Sequence, residues 1–210
     1  PQIEVYRRLV STFAAADVRS LVGRTIPLAE FERAWSSAAG RPVRQRAMLA
    51  DLLTYLPEAI LVKVDRAAMA TSLETRAPIL DHRVLEFTLR LPDHLLRRKR
   101  LLKQLVYRRV PREIMDRPKQ GFGVPLNRWF RGELKPMVMD TLTDDKLAAA
   151  GIEDATVARR MIAQHMAGQV DHSARIWALL VLTMWNDARL GRRSEARLRP
   201  SPPLASTASR

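Results

Sequence analysis

Residues 55–82 read YLPEAILVKVDRAAMATSLETRAPILDH, and this stretch decides how the chain is interpreted. Pro57 stands where the first turn of a helix tolerates proline, so the sequence predicts a helix from about residue 58 to residue 73. Pro78 stops any helix that runs through Thr75. The predicted helix has one broad apolar face, formed by Ile60, Leu61, Val64, Ala67, Ala68 and Met69.

Charged side chains stand on or beside that apolar face. Lys63, Asp65 and Arg66 have helical positions that place them next to it. An unpaired charge in an apolar setting costs several kcal/mol, so these groups need partners of opposite sign. Residues just beyond the helix can supply the partners, and one of them, an aspartate, can also cap the next helix. These residues are Glu74, Arg76 and Asp81.

The rest of the chain is predicted to be helical as well. Apolar residues recur at spacings of three and four, and no alternation of period two is long enough for a strand. Gly23 is expected to end the first helix, and the length suits one domain with a single core. The predicted helices cover residues 3–22, 28–37, 43–56, the segment between Asp81 and Pro92, 101–110, 126–130, 134–142, 156–166 and 173–190.

The last predicted helix carries a stripe of large apolar side chains at helical spacing. Such a stripe is typical of a packed core rather than of a cofactor site. From Gly191 the composition changes to Arg, Ser, Pro and Ala, so residues 191–210 are predicted to be a disordered basic tail. The stripe consists of Ile176, Trp177, Leu180, Val181, Met184 and Trp185.

Residues 117–125 read RPKQGFGVP, which places two glycines and two prolines within nine residues. This composition does not fit a regular element and predicts a shaped loop. Loops held on a rigid scaffold frequently carry functional groups, so this loop is a candidate for part of a site.

The cysteine and histidine content excludes several kinds of chemistry. The chain has no Cys, so it has no disulfide, no Cys-ligated zinc and no thiol nucleophile of its own. No two of its four histidines have the i, i+4 spacing that places two imidazoles around a metal, so no protein-held transition metal is predicted. No apolar run approaches the ~20 residues of a membrane-spanning helix, and we expect a cytoplasmic protein.

The formal net charge of +14 makes nucleic acid the first partner to consider. The basic residues are spread from Arg7 to Arg210 and alternate with acidic residues at helical spacing. Aromatic residues make up only 6% of the chain, which leaves few platforms for stacking bases. We therefore expect a solvated Arg-rich surface, and a basic helical nucleic-acid-binding module is the alternative from another class.

Residues 55–82 resemble the synthetase domain of the glutamine-hydrolysing asparagine synthetase family. The order of motifs continues downstream, where KRLLK at 99–103 is similar to the family's Lys-x-Leu-Leu-Arg helix start. The sequence VPREI at 110–114 and the loop 117–125 follow in the family's order. The resemblance extends over roughly residues 5–190, through the closing helix with its two tryptophans.

The resemblance implies a mainly α chain that is the helical C-terminal portion of an α/β adenine-nucleotide-binding synthetase domain of the PP-loop, ATP-pyrophosphatase-like type. Residues 1–190 would form this portion. The implied reaction uses ATP to adenylate the side-chain carboxylate of aspartate, after which glutamine-derived ammonia attacks the acyl-adenylate. ATP and Mg²⁺ would be bound mainly by segments that this sequence does not contain.

Two parts of the family pattern are missing from these 210 residues. The family's nucleotide loop, Ser-Gly-Gly-x-Asp-Ser, does not occur, and neither does the cysteine nucleophile of its glutaminase domain. The chain also begins at Pro1 without an initiator Met, so we expect a fragment that is inactive in isolation. Its partners would be the N-terminal glutaminase and PP-loop segments of the same protein, and a homodimer is left open.

The family's catalytic lysine corresponds to Lys119 in the loop 117–125, next to Gly121 and Phe122. The resemblance implies that this lysine faces the phosphates and the acyl-adenylate. A fixed cation there stabilises the charge that develops during adenylation.

A second basic position of the family, near the pyrophosphate, corresponds to Lys99. Relatives usually carry a longer turn with Gly before this lysine, whereas LLRR at 95–98 leads straight into it here. Whether Arg98, Lys99 or Lys103 faces the site is therefore left open.

Five charged residues of the opening stretch also match family positions. We expect them to form a buried ion-pair scaffold that orients the site. A direct contact of Asp65 with substrate or with metal-bound phosphate is the alternative. The five residues are Asp65, Arg66, Glu74, Arg76 and Asp81.

The acceptor carboxylate is not determined by these residues. An amidotransferase of a polysaccharide or peptide biosynthesis cluster, acting on a carboxylate other than aspartate, is the alternative within the same family.

Overall fold

The computed structural model describes residues 2–118 and 123–198, the last eight of these by backbone alone. All regular structure in these ranges is helical, so the expected mainly α class is confirmed for the described part of the chain. The α-helices are α1 Gln2–Val10, α2 Ala15–Val22, α3 Ala29–Ser37, α4 Val43–Leu53, α5 Val62–Met69, α6 His82–Leu89, α7 Asp93–Leu96, α8 Arg100–Val106, α9 Arg112–Met115, α10 Leu126–Arg131, α11 Lys135–Thr141, α12 Asp144–Ala149, α13 Ala155–Met166 and α14 Ser173–Leu198.

The first predicted helix, residues 3–22, is two helices in the structure. Helix α1 ends at Val10, just before Ser11 and Thr12, whose hydroxyls offer the backbone alternatives to helical hydrogen bonds. Helix α2 ends as predicted at Gly23, whose φ of 65° is the left-handed conformation that glycine adopts without strain.

Residues 56–69 are helical but do not form a single regular α-helix. A π-helical segment, Leu56–Leu61, leads directly into α5. Pro57 lies in its first turn and has no backbone N–H, so the regular α-helical hydrogen-bond pattern is broken there. Helix α5 ends four residues before the predicted position, and Ser72 follows with a left-handed φ of 58°.

The chain divides into two compact units, whereas the sequence led us to expect a single core. Of the described residues, the first unit comprises 2–10 and 27–118, and the second comprises 11–26 and 123–198. Each unit has its own cluster of buried apolar side chains.

The core of the first unit is small and lies where α1, α3 and α4 meet. Trp35 and Ala50 are buried there, and the rings of Tyr6 and Trp35 stack with centroids 5.4 Å apart. The hydroxyl of Tyr6 donates to Asp51 at 2.6 Å, and burial together with this bond raises the pKa of Tyr6. Arg46 lies over the Trp35 ring at 4.7 Å and covers the aromatic cluster.

The later part of the first unit, residues 51–118, has no buried side chain. From residue 51 to residue 118 every residue is exposed or only partly buried. Large apolar side chains are among the exposed ones, with Met69 54%, Leu73 60%, Ile79 58% and Phe87 59% accessible. Apolar area that stays in water contributes nothing to the hydrophobic stabilisation of the fold.

The second unit has the larger core. Helices α10 to α14 converge on it, and α2 contributes the buried Leu21, whose carbonyl accepts a 2.7 Å hydrogen bond from the N–H of Glu153. The side chains at its centre are wholly inaccessible to solvent: Phe130, Val138, Leu147, Ile176 and Leu180.

The apolar stripe of α14 is only partly core, so its interpretation as a packed stripe was wrong for four of its six members. Ile176 and Leu180 are fully buried as expected. The other four lie outside the buried face of the helix, which is narrower than the stripe that helical spacing groups together. They are Trp177, Val181, Met184 and Trp185, which are 47–55% exposed.

Helix α14 continues eight residues beyond its predicted end at Leu190. The predicted disordered tail thus has a helical backbone over residues 191–198, and its remaining residues, 199–210, lie outside the described part of the chain. A bilayer-spanning helix is absent from the residues that the structure describes.

A buried histidine holds the turn between α13 and α14. His165 is fully buried, and its Nδ1 accepts a 3.2 Å hydrogen bond from the backbone N–H of His172. Because an acceptor nitrogen carries no proton, the ring is neutral with its proton on Nε2. Burial lowers the pKa of His165, and the charge of Arg131 lowers it further, whereas Asp171 at 3.7 Å raises it.

Replacing Leu180 by Ala should lower the free energy of unfolding of the second unit by about 2–5 kcal/mol, because it leaves a cavity in a closed core. Val181→Ala, one residue further along the same helix, is the matched control and should change it by less than about 0.5 kcal/mol. Urea unfolding followed by circular dichroism measures both. Equal losses in the two variants would contradict the described orientation of α14.

Acidification should destabilise the second unit through His165. Its folded-state pKa is depressed, so its contribution to stability is present above the unfolded value of about 6.5 and is lost as the pH falls toward the folded value. His165→Asn keeps a hydrogen-bond acceptor but cannot titrate. In this variant the free energy of unfolding should change less steeply with pH between about pH 7 and pH 5. An unchanged slope in His165→Asn would overturn the assignment.

Candidate functional site

The residues expected to form a site fall into two groups in the structure. Lys119, Gly121 and Phe122 lie outside the described residues, so their predicted role in the loop stays a prediction. Lys99 and the five charged residues of the expected scaffold all belong to the first unit.

The expected ion-pair scaffold is not buried in the described chain. Asp65 and Arg66 lie on the solvent-exposed surface of α5 and take part in no ion pair among the described residues. Glu74 and Arg76 do form an ion pair, but their side chains are 66% and 86% exposed. The physical reason is that the apolar face of α5 itself is uncovered, so the charges beside it remain in water.

The predicted helix cap at Asp81 is confirmed. Its carboxylate accepts a 2.9 Å hydrogen bond from the backbone N–H of Arg83, in the first turn of α6. The guanidinium of Arg83 bonds the same carboxylate through both oxygens at 2.9 Å. These bonds lower the pKa of Asp81, so its carboxylate stays ionised well into the acid range.

Three of the five scaffold residues border one groove, although they do not bond each other. Asp65, Arg76 and Asp81 all line a cavity of about 880 Å³. We call this cavity the apolar groove, because its other lining residues are mostly aliphatic. They are Leu56, Ile60, Leu61, Val62, Val64, Thr75, Ala77, Pro78 and Leu80.

A second cavity, of about 550 Å³, is surrounded by cations, and we call it the basic cavity. Helices α7, α8 and α9 and the turn Arg97–Lys99 provide its lining. The sequence interpretation named Arg98 and Lys103 but missed the other arginines, although the run RRKR at 97–100 indicates a basic cluster. The lining residues are His94, Arg97, Arg98, Arg100, Lys103, Gln104, Tyr107 and Arg112.

Two of the cations around the basic cavity have carboxylate partners. Arg97 pairs with Asp93 at 3.0 Å, and Lys103 pairs with Asp116 at 2.5 Å. Among the described residues the remaining three arginines of the lining form no ion pair, so the cavity has an excess of positive charge. Its rim suits an anionic group, because guanidinium groups donate in pairs to phosphate and carboxylate oxygens.

The turn before α8 has an unusual backbone. Arg98 and Lys99 have φ values of 51° and 57°, in the left-handed region that favours glycine. This is the position where the family pattern usually has a longer turn with Gly. The sequence left open whether Arg98, Lys99 or Lys103 faces the site. Lys99 does not line the basic cavity, and Lys103 is paired with Asp116. Arg98 lines the cavity and has no carboxylate partner among the described residues.

The basic cavity fits the phosphates of ATP in charge and in donor type. The described residues contain no group of three or more His, Cys, Asp or Glu side chains close enough to hold a metal ion.

Comparisons with a family model and with curated proteins point to the same enzyme family. A family model described as asparagine synthase matches residues 2–187. A putative glutamine-hydrolyzing asparagine synthetase of Mycobacterium tuberculosis is 35% identical over 157 residues, which are 72% of this chain and 24% of that protein. Glutamine-hydrolyzing asparagine synthetase 1 of Bacillus subtilis is 30% identical over 147 residues, 68% of this chain and 23% of that protein.

More distant relatives include the human glutamine-hydrolyzing asparagine synthetase, which is 26% identical over 137 residues, 56% of this chain and 24% of that protein. The chain thus spans about a quarter of the length of the curated relatives that it matches. Comparison with solved structures gives no match.

The left-handed backbone at Arg98 predicts that substitution by glycine stabilises the protein. Arg98→Gly should raise the free energy of unfolding by about 1 kcal/mol, because glycine adopts this conformation without the steric cost of a side chain. Arg100→Gly, in the first turn of α8 with φ −51°, is the matched control and should lower it by about 1 kcal/mol. Urea unfolding distinguishes the two, and a loss of stability in both variants would contradict the described turn.

Proposed function

The chain belongs to the asparagine synthase family, and from that premise we propose that it is the helical C-terminal part of an ATP-dependent, glutamine-hydrolysing synthetase. The proposed reaction is the amidation of aspartate to asparagine through an acyl-adenylate, with ammonia derived from glutamine. The preceding parts of the longer protein would supply the glutaminase and the PP-loop, and would bind most of ATP and Mg²⁺.

This proposal is supported by the family match together with the absence of buried side chains in residues 51–118. The family model covers residues 2–187, but residues 51–118, which include three of the family-like motifs, contain no buried side chain. A segment with this much exposed apolar surface is typical of one that packs against further protein. The relatives are about four times as long as the matched region, which is room for such a covering segment.

The apolar groove is the surface that we propose the PP-loop part to cover. Its aliphatic lining supports this, and so does the position of Asp65, Arg76 and Asp81 along it. In water these charges are screened and weakly coupled, whereas a covering segment would bring them into a less polar environment where ion pairs and hydrogen bonds are stronger. The expected scaffold would thus be completed only in the assembled protein.

The electrostatic demand of adenylation suits the cations of the first unit. ATP would supply the adenylyl group that activates the carboxylate, and negative charge then increases on the departing pyrophosphate. Arg98, Arg100 and Arg112 are placed around one cavity, where they would stabilise such charge without having to reorganise. We propose that Lys119 complements them at the reacting phosphate, as the family motif implies.

The acceptor is proposed to be aspartate, in keeping with the names of the relatives. A different carboxylate, in polysaccharide or peptide biosynthesis, remains the alternative within the family. Nucleic acid is not favoured as a partner, because the family match accounts for nearly the whole of the described chain. A homodimer and a cytoplasmic location remain expectations.

In the longer protein, Lys119→Ala should reduce aspartate-dependent ATP–pyrophosphate exchange by at least about a hundredfold, because a fixed charge at the transition state is lost. Glutaminase activity should not change, since it belongs to another domain. Lys135→Ala removes the same charge from an exposed position in α11 and serves as the matched control. Normal exchange in Lys119→Ala would show that the loop lysine has no catalytic role.

A further inference from the structure

The carboxylate of Asp93 lies between two arginines from different helical segments. Its Oδ1 is 3.1 Å from Nε of Arg44 in α4, and its Oδ2 accepts a 3.0 Å hydrogen bond from Nε of Arg97, which directly follows α7. Oδ1 is shielded from solvent, although Asp93 begins a short helix at the surface. Because a shielded carboxylate oxygen needs a neighbouring cation, the two arginines hold this carboxylate in place.

Two further contacts tie the same segment to α4. Arg41, just before α4, donates from Nη1 to the carbonyl of Leu89 at 3.2 Å. The buried Gln45 donates from Nε2 to the carbonyl of Leu91 at 3.4 Å. Three alternate residues, Leu89, Leu91 and Asp93, are thus bound to the start of α4. We call these three contacts the α4 clamp.

The α4 clamp connects this segment to the buried core of the first unit. Further along the same helix, Ala50 is fully buried beside Trp35. Arg44 lies in the first turn of α4, where the helix dipole disfavours positive charge and no acidic residue of that turn compensates it. The pair with Asp93 supplies the compensating charge from outside the helix.

The segment held by the α4 clamp leads directly into the basic cavity. His94, Arg97 and Arg98 line that cavity and follow Asp93 within five residues. Arg97 uses its Nε for Asp93, whereas its two terminal nitrogens have no partner among the described residues. Those two nitrogens can donate together to a pair of phosphate oxygens. The ion pair therefore leaves the anion-binding end of Arg97 available.

Holding Arg97 in advance changes how it binds an anion. A long side chain loses rotamer freedom when a ligand immobilises it, and this loss weakens binding. Asp93 fixes Nε of Arg97 before any ligand is present. The same carboxylate is negative and lies next to a cavity-lining residue, so its charge alone opposes the binding of an anion. The two effects have opposite signs, and an affinity measurement distinguishes them.

We propose that Asp93 is a positioning residue, which links Arg97 to α4 and orients its guanidinium toward a pyrophosphate group in the basic cavity. This inference rests on the proposed function, in which the basic cavity receives phosphate groups. It adds Arg97 as a fourth donor to the three arginines of the lining that have no carboxylate partner among the described residues.

Calorimetric titration of the longer protein with inorganic pyrophosphate tests the positioning role. In Asp93→Asn the affinity should fall by about threefold to tenfold, because Arg97 must then be ordered on binding. Charge alone predicts the opposite result, since the substitution removes a negative charge from the surroundings of an anion. An affinity equal to that of wild type, or tighter, would overturn the role.

Glu113→Gln is the matched control for that titration. Glu113 lies in α9 beside the lining residue Arg112, takes part in no ion pair among the described residues, and loses the same charge. Pyrophosphate affinity in this variant should stay the same or rise slightly. A fall as large as that in Asp93→Asn would show that the loss does not depend on the contact with Arg97, and the positioning role would be wrong.

A second variant separates positioning from a purely structural effect. Arg97 is 64% exposed, so Arg97→Gln should fold, and it should weaken pyrophosphate binding at least as much as Asp93→Asn does. If Asp93 acts through Arg97, adding Asp93→Asn to Arg97→Gln should cause no further loss. KM for the acceptor carboxylate and glutaminase activity should not change in any of these variants.

Additive losses in the double variant would contradict the positioning role. Wild-type affinity in Arg97→Gln would contradict it as well, even if Asp93→Asn does not fold. Failure of the wild-type longer protein to bind pyrophosphate would also overturn it.

The proposed function is tested separately, by aspartate-dependent ATP–pyrophosphate exchange. Exchange in wild type with unchanged pyrophosphate affinity in Asp93→Asn would overturn only the positioning role. Weaker binding in Asp93→Asn without any exchange in wild type would overturn the proposed function and leave the basic cavity as an anion site that Asp93 orders.

Discussion

Buried apolar side chains are distributed unevenly along this chain, and the proposed cover by further protein follows from that imbalance. The second unit buries Phe130, Ile176 and Leu180 completely in a core of converging helices. The first unit buries a small aromatic cluster around Trp35 and then leaves residues 51–118 without a buried side chain. Since the hydrophobic effect is the main stabilising term in folding, residues 51–118 contribute little to the stability of this chain, and we propose that further protein covers them.

Local features of the fold could be predicted from the sequence, because short-range physics determines them. Gly23 ends a helix through its left-handed backbone, and Asp81 caps α6 with its carboxylate. The π-helical segment at Pro57 and the left-handed pair Arg98 and Lys99 could not be predicted. They depend on how neighbouring turns join, which side-chain periodicity does not record.

Burial was the property that sequence reasoning predicted least well. Helical spacing places Trp177 and Trp185 in one apolar stripe with Leu180, but spacing alone does not say how wide the contacted face is. The same limit applies to the scaffold residues, of which Asp65, Arg76 and Asp81 share the rim of one groove yet remain in water. The motif match predicted a buried scaffold, and a motif does not record whether the surface beside it is covered within this chain.

We propose that this chain supplies cations and scaffold to a synthetase whose nucleotide-binding part lies in other segments. Aspartate-dependent exchange of labelled pyrophosphate into ATP tests it most directly, when it is measured side by side on the 210-residue chain and on the longer protein. We expect exchange by the longer protein and none by the chain alone. Exchange by the isolated chain would show that it holds a nucleotide site of its own, and absence of exchange in the longer protein would show that it is not such a synthetase.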